Sequence, residues 1–569
     1  MRDRLGLEDR ARKGASTTVT PVRNNRGGGE VDAVSSLLSD RVEFRLSCVD
    51  RIFIQGYIPT LQSEGLVVRF MLDQGNTIPS PKVFGRIHDR LVAAIDRFVA
   101  ANTLEVLRFK KGQSKEESAR PYLEAAKAAG REGVVVVGVA QERVQGWRGF
   151  RRGGSDSHPH FVYRRQSLWV NHYYFYIWDR EWGPGFIKLC PYAPYPLWAW
   201  INGHEWLKRQ LDQRGVGCEA LDNGLRSCED PALARRLAAS LSAGHALAYL
   251  HKWTAALPSP LTDADRRVGH RYAFSVRQIE LSDTAVFDRP QSGRAWFEAA
   301  IKDHLDLGRP ERVSLVVDRR VVQRGPRATP GRFATQIVTR GVDPQIQIHY
   351  KASKVKAYFK ESRALRIETT INNPDDFDVK RTLKPENWRA LRRAGAECNA
   401  RFLQALGEHA PPPPDVAALQ SVVMPSIDED GNRAPGLRFG DPRATALLAA
   451  VACFTHVVGG LTNHGLCELM AALLDQPYNH RQATYDLRRL RRKGLIERVP
   501  GRNLYRVTAR GRAMACFLTK LQARVVVPVL SELDHLPNPR GSNPRPIVSA
   551  WRVYARELDA LVAGAQLAA

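Results

Sequence analysis

Tyr350 and Lys354 lie in the stretch "HYKASKVKAYFK", with three residues between them. A tyrosine hydroxyl beside a lysine can attack a phosphodiester and hold one strand end as a covalent phosphotyrosine. In one form of that chemistry a metal is gripped by two histidines flanking one apolar residue, upstream of the tyrosine. The nearest approach to such a pair is His158-Pro159-His160. Proline donates no backbone N–H and fits poorly in a central strand, which argues against this site.

Metal-dependent hydrolysis makes a different demand. Carboxylates at strand ends hold a divalent cation that activates water and stabilises the leaving oxygen. Glu142 follows the apolar run "GVVVVGVA" and Asp179 ends "VNHYYFYIWD", with His204, Glu205, Asp222 and Glu280 further on. No two of these have a spacing that forces them together. Tyr350, Asp179, Glu142 and Asp222 are therefore separate candidates for catalysis. Mg2+ or Mn2+ is expected only if hydrolysis is the activity, and no other cofactor is implied.

Other chemistries fail on spacing. "HEWLK" places Lys208 where the zinc-protease pattern H-E-x-x-H needs its second histidine. Cys190, Cys218 and Cys228 match no common zinc-ligand spacing. "VVVVGVAQ" lacks the glycines of a dinucleotide loop, and no Walker lysine-serine occurs. The eight cysteines include no C-x-x-C pair, which suits reduced thiols in a cytoplasmic protein.

Charge narrows the partner. The 569 residues carry 85 lysines and arginines against 59 carboxylates, a formal net charge of +26. Such an excess favours polyanions, with nucleic acid ahead of anionic membrane. No segment has the apolar length of a membrane span. One basic cluster, "HYKASKVKAYFKESRALRIETT", gathers Lys354, Lys356 and Lys360 with Tyr358 and Phe359, a mixture suited to tracking single strands.

These residues must be positioned by a mixed α/β fold of several domains. Residues 1–40 read as a disordered basic tail, and 41–235 as an α/β domain with an aromatic-rich hairpin and a sheet expected to be parallel. Residues 236–310 read as a helical connector and 311–410 as a β-rich basic domain in which "ASKVKAYFKE" is a helix. The four prolines of "GEHAPPPPD" open an extended linker over 411–436, before a C-terminal domain at 437–569.

That last domain has the clearest pattern. Asp441-Pro442 is an N-cap and N1 pair, Thr462 caps a second helix, and Thr508 caps a final one. Between them a helix from about His480 to Lys493 has an apolar stripe of Ala483, Leu487 and Leu490. Two short strands, "LIERV" and "LYRV", follow across "PGRN". "ATYDLRRLRRKGLIERVPGRNLYRVTARG" resembles the recognition helix and wing of MarR-type and ArsR-type regulators. The resemblance implies a winged helix-turn-helix, with Gln482, Tyr485, Arg488, Arg489 and Arg492 facing a DNA groove and Arg502 and Asn503 at the wing tip. Through "YYFYIWDREWGPGFIKLC", "NGHEWLKRQ" and "ALRIETTINN" the whole chain also resembles a widespread family of uncharacterised bacterial proteins, which supplies no catalytic residues.

The expectation is a nucleic-acid-binding protein, with duplex DNA ahead of RNA as its partner, acting as a regulator or architectural factor, with a homodimer as one arrangement open to it. The alternative is a mobile-element or replication-type enzyme that cuts DNA where the winged helix brings it.

Overall fold

The computed structural model describes residues 41–289 except 155–158 and 222, then 291, 293–298, 316–317, 335–340 and 343–350. From 352 to 522 it describes all but 361–362, 408–414, 429–430, 439, 453–459 and 475, with 526, 553–554 and 556–557 beyond. The tail expected over 1–40 lies outside the described residues, as do His158 and Asp222.

The chain is mixed α/β. Strands β1 (Val42–Tyr57), β2 (Val106–Arg108), β3 (Gly133–Gly154), β4 (Pro159–Asp179), β5 (Gly183–Leu189) and β6 (Leu197–Asn202) come first. A small hairpin of β7 (Cys218–Ala220) and β8 (Leu225–Cys228) stands apart from the main sheet. Then follow β9 (Ala273–Phe287), β10 (Val316–Val317), β11 (Thr335–Arg340), β12 (Asp343–Tyr350), β13 (Ser353–Lys360) and β14 (Ala364–Ile371). Twelve strands form one sheet in the order β10-β11-β12-β13-β14-β9-β1-β6-β5-β4-β3-β2.

The parallel sheet expected at the N-terminal end is not what forms. Neighbours are antiparallel, apart from the short β2–β3 and β10–β11 pairs. The physical reason is connection length, because tight turns between long strands can only reverse the chain. The expected boundaries near 235 and 310 are also crossed by this sheet. β9, inside the stretch read as a helical connector, lies between β1 and β14. The lysine-rich helix is instead the strand β13, in which Ser353, Val355, Ala357 and Phe359 are buried and the residues between them half-buried. Period-two alternation, not the lysine content, decided that element.

Helices cover the sheet in patches. The helices α1 (Glu64–Asp73) and α2 (Lys82–Ala101) pack beneath the far part of β4, and α3 (Lys115–Ala128) lies against β3 and β4. The main core joins β1, β5, β6 and β9 to α4 (Gly203–Asp212), α5 (Pro231–Ser240) and α6 (Ala243–Ala256). Helix α7 (Pro385–Gly407) lays Cys398, Phe402 and Leu406 over one face of β12 to β14. Ile348, Val355, Ala357, Leu365 and Ile367 line that face, so the other face of these strands carries their polar residues.

A separate core holds the C-terminal elements. Helices α8 (Val416–Val423), α9 (Pro442–Ala452), α10 (Asn463–Leu474), α11 (His480–Arg492) and α12 (Ala509–Leu521) surround it, with the hairpins β15 (Ser426–Ile427)–β16 (Arg433–Ala434) and β17 (Ile496–Arg498)–β18 (Tyr505–Val507). The expected linker at 411–436 is thus partly folded. Val422 and Leu437 belong to this core, and the buried Lys493 ammonium donates to Ser421 O at 2.8 Å and to Met424 O. An isolated bridge adds Leu461 to Tyr505 of β18.

Candidate functional site

Three adjacent strands bring together Asp50 (β1), Glu280 (β9) and Glu368 (β14), the one metal-competent cluster among the described residues. All three are buried, and one carboxylate oxygen from each lies within 4.8 Å of the others. Oxygens ligating one hard divalent cation are separated by up to about 4–5 Å, so the spacing suits a shared ion.

Local geometry explains how they meet. β1 pairs Val49 with Leu281 and Ile52 with Ile279, so Asp50 and Arg51 together oppose Glu280 alone. This is a β-bulge, and the extra residue keeps Val49 and Ile52 both in the core while re-aiming Asp50. On β14 the alternation puts Arg366, Glu368 and Thr370 opposite Thr284, Ser282 and Glu280 of β9. The other parity of β14, Leu365 and Ile367, packs under α7.

The carboxylates are unequally satisfied. Asp50 accepts from the Arg366 guanidinium and from Asn223 Nδ2, and Asn223 is held in turn by Asn202 at 2.6 Å. Glu368 meets Lys356 Nζ at 2.7 Å, Tyr358 OH at 3.2 Å and Arg366 Nε at 3.5 Å. Glu280 Oε1 accepts from Gln278 at 2.9 Å and Thr370 at 3.3 Å. Its Oε2 is buried and accepts no hydrogen bond, with Arg51 Nε 4.0 Å away. Burial first, and then the charges of Glu368 and Asp50, raise the Glu280 pKa above its ordinary value.

Two neighbours are held neutral. Burial and the adjacent Arg366 push the His204 pKa well down, so its Nε2 faces Arg366 at 3.4 Å and Ser282 at 2.9 Å as a neutral ring. Burial and Asp50 raise the Cys48 thiol to about 12, which removes it as a nucleophile or ligand.

The other sequence candidates are dispersed. Glu142 lies on β3, bonded to Lys115, Tyr174 and Lys188. Burial would raise its pKa, but the hydrogen bonds from Lys115 and Tyr174 and the Lys188 charge bring it down to about 2. Its stabilisation is therefore present above its ordinary value and lost as pH falls towards 2. Glu142→Gln should cost about 1–3 kcal/mol at pH 7, with the deficit shrinking in acid, measured by thermal melts over pH. Asp179 is occupied by the backbone of Glu181 and Trp182, by Trp253 Nε1 and by Lys252 Nζ, each at 2.8 or 2.9 Å, so it fastens a turn.

Tyr350 ends β12, with its ring 5.7 Å from Phe377. His160 is on β4, and six strands separate β4 from β12 in the sheet, so the tyrosine and histidine halves of a nickase site do not meet. Lys354, Lys356 and Lys360 lie on the polar face of β13. Lys356, opposite Glu368, joins the carboxylate cluster. Cys218 and Cys228 face each other across β7 and β8, remote in sequence from Cys190 and joined by no disulfide.

On α11 the apolar stripe is as expected, with Ala483, Leu487 and Leu490 buried. The outward set needs correction. Arg489 donates to Pro435 O at 3.1 Å and to Gly436 O, and Arg492 donates to Arg433 O at 3.0 Å. Both fasten the β16 segment, since a guanidinium satisfies several carbonyls at once. Gln482 closes a capping box with Asn479. The exposed residues of α11 are His480, Arg481, Thr484, Tyr485, Arg488 and Arg491, and the outward place of Arg491 is not among those expected from the sequence. At the β17–β18 turn Asn503 accepts from Arg498 at 2.9 Å, and Arg502 pairs with Asp378 at 2.9 Å.

Asp50 and Glu368 escaped sequence reasoning. Asp50 follows "LSCV" with no motif around it, and Glu368 sits inside an apolar-flanked strand. The usable signal was a charged residue at a fully buried strand position, seen in "LRIETT". Compared with known proteins, the chain matches no family, no curated protein and no solved structure.

Proposed function

We propose that this protein is a nucleic-acid-binding enzyme that breaks phosphodiester bonds with a divalent cation held by Asp50, Glu280 and Glu368. The supporting observation is the buried, unpartnered Oε2 of Glu280, crowded by two other carboxylates. A buried carboxylate oxygen left without a donor is costly, and a cation restores the balance. All-oxygen ligands select Mg2+ or Mn2+ over softer metals. The ion would supply Lewis acidity and an activated water, while Lys356 beside Glu368 offers a positive charge to the phosphate.

The C-terminal elements fit delivery of the substrate. The order α9, α10, α11, β17–β18, α12 supports the winged-helix reading, with Arg481, Tyr485, Arg488 and Arg491 exposed on α11. Arginine there serves phosphate and guanine edges alike. No helix among the described residues is long and apolar enough to cross a membrane.

One observation favours a second reading, a DNA-binding regulator without catalysis. Arg366, Lys356 and Arg51 stand beside the three carboxylates, so the cluster also resembles a closed ion-pair network. Supercoiled plasmid incubated with the protein and Mn2+ separates the two. Nicking that EDTA abolishes supports the enzyme, whereas intact plasmid with a retained gel shift supports the regulator.

A further inference from the structure

The far part of the β3–β4 pair carries a second concentration of positive charge. Between Arg143 and Val170 the chain carries six arginines and one carboxylate, Asp156. One face of this ribbon is anchored. Tyr163 is buried, and its hydroxyl donates to Pro79 O at 2.7 Å. Trp147 Nε1 donates to Leu61 O at 2.8 Å. Gly149 lies so close to Pro81 that an added Cβ would come within 2.4 Å of its ring. The ribbon is thus braced on α1 and α2.

The opposite face is open and charged. Arg148 and Arg164 are exposed and directly opposite each other in the register. Arg148 lies 5.8 Å over the Phe150 ring, and the exposed Arg152 follows two residues on. Like charges facing across a strand pair destabilise it. Arg148, Arg152 and Arg164 form no ion pair with a described carboxylate. No described carboxylate offsets the repulsion between Arg148 and Arg164, and a polyanion would.

We infer that this ribbon binds the backbone of duplex nucleic acid, with its arginines straddling phosphates. A rigid two-stranded ribbon has the width of a duplex major groove. Planar guanidiniums match phosphate oxygens in pairs. The exposed rings of the ribbon, Phe150 and Trp169, lie at separate places along it and each has an arginine over it, which gives too little contiguous apolar surface for membrane insertion. The inference rests on the nucleic-acid reading and adds a contact surface distinct from α11.

The test is fluorescence anisotropy with a labelled 30-base-pair duplex in EDTA, over a salt series. Arg148→Ala/Arg152→Ala/Arg164→Ala should flatten the plot of log affinity against log salt by up to about 2.7, at ~0.9 per lost phosphate contact. Its melting temperature should match or exceed wild type, because repulsion is relieved. Should the triple variant misfold, Arg164→Gln alone should flatten the slope by about 0.9. A wild-type slope retained in these variants overturns the ribbon's role while leaving the proposed function standing. Wild-type protein with no salt-dependent binding overturns both. Capture by phosphatidylserine vesicles that depends on these arginines, with duplex affinity unchanged, assigns the patch to membrane and overturns the inference.

Discussion

Glu368→Gln is expected to slow Mn2+-dependent plasmid nicking by more than roughly 100-fold, the upper range for groups one step removed from a catalytic metal. The substitution keeps the shape of the side chain and removes its charge. Glu368 meets Lys356, Tyr358 and Arg366 and has a carboxylate oxygen within 4.8 Å of those of Asp50 and Glu280. An amide weakens the hold on a hard cation, since charge on the ligand oxygens sets much of that affinity. Duplex affinity in EDTA should stay within about twofold of wild type, because the cluster is buried and contributes little to the surface field. Nicking at the wild-type rate in this variant would refute the metal assignment. Asp50→Asn is a poorer test, because it also strips the buried Arg366 of its partner and endangers the fold.

The second large effect is thermodynamic. Glu280→Gln should raise the melting temperature of the metal-free protein at pH 7 and abolish the rise that Mn2+ gives the wild type. The folded protein raises the Glu280 pKa above the ordinary value of 4.5. The carboxyl therefore favours folding below the unfolded value, and that stability is lost as pH rises through the folded value. At neutral pH that loss counts against folding, and glutamine, which carries no charge to bury, relieves it. A cation bound at a hundred times its Kd would stabilise the wild type by about 2.7 kcal/mol. For a folding unit well above about 250 residues that is roughly 3–5 °C, since the unfolding entropy grows with chain length. Scanning fluorimetry across pH with EDTA or Mn2+ reads both effects. If glutamine lowers the metal-free melting temperature, Glu280 is a stabilising partner of Arg51 and the cluster is a closed network.

How much of this could be read in the chain depends on the range of the interactions involved. Asp441, Thr462 and Thr508 were assigned as caps, and each side-chain oxygen accepts the expected backbone N–H two or three residues on, at 2.9–3.0 Å. The stripe of Ala483, Leu487 and Leu490 is likewise a matter of residues three or four apart. The β13 error came from weighing lysine content above alternation. Arg489 and Arg492 were placed outward because helical periodicity cannot show that the β16 segment folds over them.

The amino-acid order alone determined what neighbouring residues settle among themselves: which segments are helical, where they begin, which side of each is apolar, and how strongly the molecule attracts anions. The metal-competent cluster was decided only in three dimensions. Glu280 was noticed but had no visible companions, while Asp50 and Glu368 lie far from it in the chain and meet it through antiparallel pairing of β1, β9 and β14. A bulge at Asp50 then turns that side chain towards the other two. Register and bulges are fixed by packing of whole strands against the core, so nothing local to any of the three carboxylates could announce their convergence.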